Sequence, residues 1–178
     1  MHEVFAGKRT IAEVTIAEAR LNSGEKLSAV NDFFIGPKTH TSAHYTIKVG
    51  DKTEQQSSSG IIVSTGLGST GWLRSILAGA TGISSALSGR SLKISEKKAV
   101  AWDSEFLYFS VREPWPSKTT GAGITFGKVT RKHPLVITSQ MPENGIIFSD
   151  GIESDFLRFN SGSEAVISIS RKKGYLVK

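Results

Sequence analysis

The chain has 178 residues, a mass of 19.2 kDa and a mean hydropathy of −0.13, enough to bury one substantial core, so a single unit spanning 1–178 is expected. It contains no cysteine, which excludes disulfide frameworks and thiolate metal sites and points to a cytoplasmic or organellar-matrix setting. A formal charge of +6 raises nucleic acid as a partner, but the basic residues form small separate groups (Lys97-Lys98, Arg131-Lys132, Arg171-Lys172-Lys173) rather than one stripe interleaved with aromatics, so a solvated surface is expected.

The first predicted strand holds Ile11, Val14 and Ile16, and a second apolar run covers Val30 to Ile35. Tyr45, Ile47 and Val49 alternate with Thr46 and Lys48, and Gly50-Asp51 then turns the chain into the polar segment Lys52 to Gln56, which is a hairpin pattern. Ile61-Ile62-Val63 reads as a short buried strand, followed by a Gly/Ser/Thr stretch and a helix over Trp72 to Ala78. The small residues from Ala78 to Arg90, with glycines at 79, 82 and 89, predict a loop. From Glu105 the pattern is again β, with Phe106, Tyr108 and Ser110 alternating against Leu107, Phe109 and Val111 until Pro114 and Pro116 stop it. Further short runs at 123–126, 135–138, 146–148, 156–159 and 166–169, punctuated by Asp150-Gly151 and Asn160-Ser161-Gly162, have the spacing of a sandwich or open barrel and not of repeating βαβ units. No stretch approaches the ~20 apolar residues needed to span a bilayer, so no membrane partner is expected. The four histidines (His2, His40, His44, His133) share no ligand spacing, and no protein-built metal site is predicted.

The window Gly60 to Trp72 carries the most chemistry: a buried strand, then Ser64-Thr65-Gly66-Leu67-Gly68-Ser69-Thr70-Gly71, then a helix start. Glycines let a backbone approach a phosphate or ribose closely, hydroxyls donate hydrogen bonds, and the free N–H groups of a helix start attract anions. The same residues also suit a plain tight turn whose hydroxyl caps a helix, and chemistry alone leaves both readings open. Gly66-x-Gly68-x-x-Gly71 matches the Rossmann fingerprint literally, yet the βαβ context that fingerprint needs is missing from the pattern. A P-loop fails because no lysine sits here.

The window Thr65-x-x-Gly68-Ser69-Thr70-x-Trp72 resembles the second signature of the NAD kinase family, a Thr-x-x-Gly-Ser-Thr-x-aromatic loop. About thirty residues earlier that family carries an Asn-Glu or Asn-Asp pair, and here Asn31-Asp32 stands in the same order. Phe148-Ser149-Asp150-Gly151 and the strand from Gly162 to Ile169 look like the family's closing hairpins, so the resemblance covers Val30 to the end. Ser59-Gly60 and Gly71-Trp72 replace the Asp-Gly and Ala-Tyr of the common bacterial pattern. The run Gln56-Ser57-Ser58-Ser59-Gly60, the Gly68-Ser69-x-x-Trp72 ending and Ser110-Val111-Arg112-Glu113-Pro114 look most similar to the mitochondrial-type branch.

The resemblance implies a mainly β, sandwich-like C-terminal domain with one or two short helices, half of a two-domain kinase that transfers phosphate from ATP to the adenosine ribose 2'-hydroxyl of NAD(H). It implies that Asn31 and Asp32 contact the adenosine or ribose, that Thr65, Gly66, Gly68, Ser69 and Thr70 line the dinucleotide, and that Trp72 offers a base an aromatic face. It further implies Mg²⁺ arriving with ATP, and a homodimer or larger assembly. The family's Gly-Gly-Asp-Gly-Thr motif does not occur in the sequence, so no catalytic residue is assigned and binding without turnover is expected. Two other readings remain: a non-catalytic β-rich domain that binds nucleic acid or protein, and the same fold acting on a lipid or other small molecule.

Overall fold

A computed structural model describes residues 9–91, 100–152 and 154–177; His2 and the Lys97-Lys98 pair lie outside them. In chain order the described residues form β1 (Ile11–Leu21), β2 (Lys26–Ala29), β3 (Asp32–Pro37), β4 (Ala43–Val49), β5 (Lys52–Ser58) and β6 (Ile61–Ser64). A 3-10 turn (Gly68–Thr70) and one helix, α1 (Trp72–Ser88), follow. The second β run comprises β7 (Leu107–Val111), β8 (Phe126–Val129), β9 (Leu135–Ser139), β10 (Gly145–Ser149), β11 (Phe156–Arg158) and β12 (Glu164–Val177).

These strands build two six-stranded sheets, one in the order β2-β1-β12-β9-β4-β5 and the other β11-β10-β3-β6-β7-β8. All the paired strands run antiparallel. The mainly β, two-sheet architecture expected from the short-strand spacing is therefore what the chain forms, and the antiparallel pairing of β6 with both β3 and β7 removes the Rossmann reading of its glycines.

The core follows from the two-residue period of a strand, which sends alternate side chains to opposite faces. Tyr45 and Ile47 of β4, Leu135 and Ile137 of β9 and Ala165 to Ile169 of β12 meet Phe33 and Ile35 of β3, Ile61 and Val63 of β6 and Leu107 to Val111 of β7 in one buried cluster. The alternate residue Phe34 is turned to the other face of its sheet, where cross-strand register sets it opposite Ile62 of β6 and Phe148 of β10. α1 begins over this outer face. Its Leu73 is buried, and Trp72 stacks on Phe34 with ring centroids 5.8 Å apart and planes within 5°. The outer face of one sheet thus becomes a second, aromatic layer.

Two local expectations are corrected. The predicted loop over Ala78 to Arg90 is instead the second half of α1, which continues to Ser88 and stops at Gly89 in the left-handed conformation (φ 64°). Once Trp72 and Leu73 pin the first turn to the sheet, each added residue costs little and gains a hydrogen bond, so alanines and aliphatics carry the helix through Gly79 and Gly82 despite their poor propensity. The run Val30 to Ile35 splits: Val30 and Asn31 belong to a turn, and β3 starts at Asp32. Lys26–Ala29, whose four residues carry no strong signal, is a strand that the sequence pattern did not reveal.

Candidate functional site

β3 and β6 run side by side with Asp32 opposite Ser64, so the turn before β3 and the loop after β6 emerge at the same end of the sheet. Between them lies a cleft of about 300 Å³. Of the residues singled out in the sequence, Asn31, Asp32, Gly68, Thr70 and Trp72 line it, joined by Phe34, Leu67, Gly71, Phe148, Asp150 and Gly151. Thr65, Gly66 and Ser69 do not line it.

Those three residues instead hold the cleft's walls together. The buried Thr65 hydroxyl donates to the Val30 carbonyl (2.6 Å) and accepts from the Gly68 amide (3.1 Å), while the Thr65 amide donates to the Asn31 carbonyl (2.9 Å). The loop is clamped onto the Asn31 turn by one threonine. A β-carbon on Gly68 would run into the Asn31 backbone, and one on Gly66 into the Ala101 carbonyl, so both glycines are demanded by close approach. The Ser69 hydroxyl donates to the Gly66 carbonyl (2.7 Å) and closes the turn on itself.

The opposite wall comes from Asp150, which the sequence marked as turn punctuation and as part of a closing hairpin but not as a site residue. Its carboxylate accepts from the amides of Val30 (3.0 Å), Asn31 (2.6 Å) and Asp32 (3.2 Å), and its own amide donates to the Asp32 carbonyl (2.9 Å). Asp150 therefore shapes the Asn31-Asp32 turn although it lies far away in sequence. Its signal was the Asp-Gly pair, with Asp150 itself at φ 53°, but nothing local says that its carboxylate reaches another turn. Phe34 was legible only as an apolar strand residue, and Phe148 only as part of a closing hairpin.

Asp32 is the electrostatically unusual group. Its Oδ1 is buried and has no hydrogen-bond partner among the described residues. Burial pushes the Asp32 carboxyl up to about 6; the Ser64 hydroxyl pulls it down and the neighbouring Asp150 charge adds to the rise. An acceptor left unpaired in this way costs about 1–3 kcal/mol. Trp72 is already engaged: it stacks on Phe34, Phe34 meets Phe148 at 5.2 Å, and the Arg112 guanidinium lies 5.6 Å from the Trp72 ring centre. What Trp72 presents is part of a three-ring wall and not an isolated platform.

No family model matches the chain, and no curated protein matches it. Among solved structures, the chain superimposes on yeast NADH kinase, in a crystal structure complexed with NADH, with a TM-score of 0.67 and 16% sequence identity. The fold is NAD kinase-like. The match covers 99% of this chain and 46% of the yeast protein, so the chain spans about half the length of that neighbour. At this identity the likeness speaks for the architecture alone.

Proposed function

We propose that this chain is the NAD(H)-binding, C-terminal domain of an NAD kinase-like protein, most similar to the mitochondrial-type branch. The complete protein would transfer phosphate from ATP to the adenosine ribose 2'-hydroxyl of NAD(H), giving NADP(H). The observation that carries this reading is a single cleft that brings together Asn31, Asp32, Gly68, Thr70 and the Phe34-Trp72-Phe148 wall. An ionised carboxylate accepts from ribose hydroxyls, an amide both donates and accepts, and an aromatic wall favours a flat base.

The chain's own residues bind and orient in this reading. Asp150 fixes the backbone of the Asn31-Asp32 turn, and Thr65 fixes the glycine loop against it, so the two contact groups are pre-set before a ligand arrives. Mg²⁺ would enter with the phosphates of ATP. With no Gly-Gly-Asp-Gly-Thr motif in the sequence, turnover would depend on residues beyond these, and the chain by itself would bind without phosphorylating. No helix among the described residues is long and apolar enough to cross a membrane. We place the assembly, as a homodimer or larger oligomer, in the cytoplasm or an organellar matrix.

Calorimetric titration with NAD and with NADH tests the reading. Saturable binding is expected, weakened by Asn31→Ala and by Trp72→Ala, the latter by about 1–3 kcal/mol if a base lies against the wall. Binding that neither substitution changes would put the dinucleotide elsewhere or the substrate in another class.

A further inference from the structure

The three-ring wall borders a second cleft. Phe34, Trp72 and Phe148 also line a separate cleft of about 360 Å³, whose polar lining is Lys38, Thr39, His40, Thr41, Ser59 and Arg112. The two clefts share their aromatic residues and differ in charge: the first holds Asp32 and Asp150 and no Lys or Arg, the second holds Lys38 and Arg112 and no carboxylate. A phosphoryl group would be repelled by the first and attracted by the second.

We propose that this second cleft is a binding site for the phosphate groups of a nucleotide-like ligand. The Lys38 ammonium lies 5.3 Å over the Phe156 ring, and the Arg112 guanidinium 5.6 Å from the Trp72 ring centre, so both cations rest on aromatic carbon instead of being wholly in water. Arg112 pairs with Glu113, at 3.5 Å and 67% exposed, a weak surface pair that an incoming phosphate can displace. Guanidinium and phosphate match as a planar fork to a tetrahedral oxyanion, ammonium adds a point charge, and the hydroxyls of Thr39, Thr41 and Ser59 supply further donors. Lys38 and Thr39 follow directly on β3, and Arg112 on β7. Backbone hydrogen bonds from Lys38 to Asn144 (2.7 Å) and between Arg112 and the Ser59-Gly60 bend (2.8 and 3.0 Å) root both cations in the sheet. The aromatic wall gives the planar part of such a ligand a surface to lie on.

The phosphates could belong to the dinucleotide itself or to a separate nucleotide, and the test separates these sources. Pyrophosphate, ADP and adenosine are titrated into the chain while backbone amide shifts are followed by NMR. Pyrophosphate and ADP are expected to saturate and to move the amides of residues 38–41 and 112. Lys38→Gln and Arg112→Gln should each weaken pyrophosphate about tenfold, whereas Lys26→Gln, a surface control lining neither cleft, should leave it unchanged. Arg112 also touches Trp72, so the Lys38 variant decides the matter if the Arg112 variant is misfolded. NADH that displaces pyrophosphate assigns the phosphates to the dinucleotide; NADH that binds beside it assigns them to a second nucleotide. Adenosine carries no phosphate, and amide shifts that it causes at 31–32 and 67–71 without shifts at 38–41 report on the first cleft, so failure of the dinucleotide reading and failure here are read apart. Pyrophosphate binding that does not saturate, or that all three substitutions weaken alike, overturns the proposal.

Discussion

Asp32 shows how a side chain proposed as a ligand contact can also be a liability to the fold. Its carboxyl is lifted to about 6 in the folded chain, chiefly by burial, against an ordinary value of 3.8, so between those values the folded state holds a proton that the unfolded state has released. Stability therefore falls as pH rises through this window, and the full cost of the buried charge is present above it. Asp32→Asn is expected to raise unfolding free energy at neutral pH by about 1–2 kcal/mol, discounted for the side chain's partial exposure, with the gain vanishing near pH 4. Urea unfolding of both forms across that range checks it, and a gain that persists unchanged at low pH would show that the carboxyl is not shifted. If Asp32 accepts from a ribose hydroxyl, dinucleotide affinity should move the opposite way, weakening as pH drops through about 6. Thr65 has a different role. Thr65→Val removes its two hydrogen bonds at nearly constant volume and should cost about 1–3 kcal/mol of stability, while Thr65→Ser should cost much less. That Thr65 clamps the loop was not readable from sequence, because a hydroxyl facing a ligand and one facing a neighbouring turn leave the same letter in the chain.

At the scale of elements, α1 divides at its middle. Leu73 is buried against the sheet, but Ile83 is 65% and Leu87 84% exposed, and nothing lies within 4 Å of a β-carbon placed on Gly79 or Gly82. Gly79→Ala and Gly82→Ala should therefore stabilise the distal helix by about 0.5–1 kcal/mol each, with no steric offset. Amide hydrogen exchange over 79–88 is the measurement that sees it, since a partly exposed helical arm can open without global unfolding; unchanged protection would mean that a neighbour already fixes this segment. The arm was hidden in the sequence because propensity alone argued for a loop, and the tertiary anchor at Trp72 and Leu73 outweighed it. The hairpin of β4 and β5 was legible, since alternation and a Gly-Asp turn are local signals, as was the short apolar strand β6. β2 was not legible, being a short strand that takes its place from its neighbour β1 and not from its own pattern.

For the whole molecule, an all-antiparallel pair of sheets could be read from many short runs with turn punctuation, but the order of strands could not. β1 pairs with β12, joining the first strand to the last, and β3 sits between β10 and β6. Those long-range pairings bring Asn31, Gly68 and Asp150 to one place, and they also fold Phe34, Trp72 and Phe148 into a wall that lines both an acidic and a basic cleft. The sequence resemblance named all three segments around the first cleft, but that they meet there, and the entire second cleft, are products of topology. The central claim is that a dinucleotide lies against this wall beside Asn31 and Asp32. Its most direct test is an NMR experiment on the chain saturated with NADH, collecting intermolecular nuclear Overhauser effects to the ring protons of Trp72, Phe34 and Phe148. Cross-peaks from base or ribose protons of NADH to these rings are the expected result. Saturated binding with cross-peaks only to residues outside the two clefts would contradict the claim.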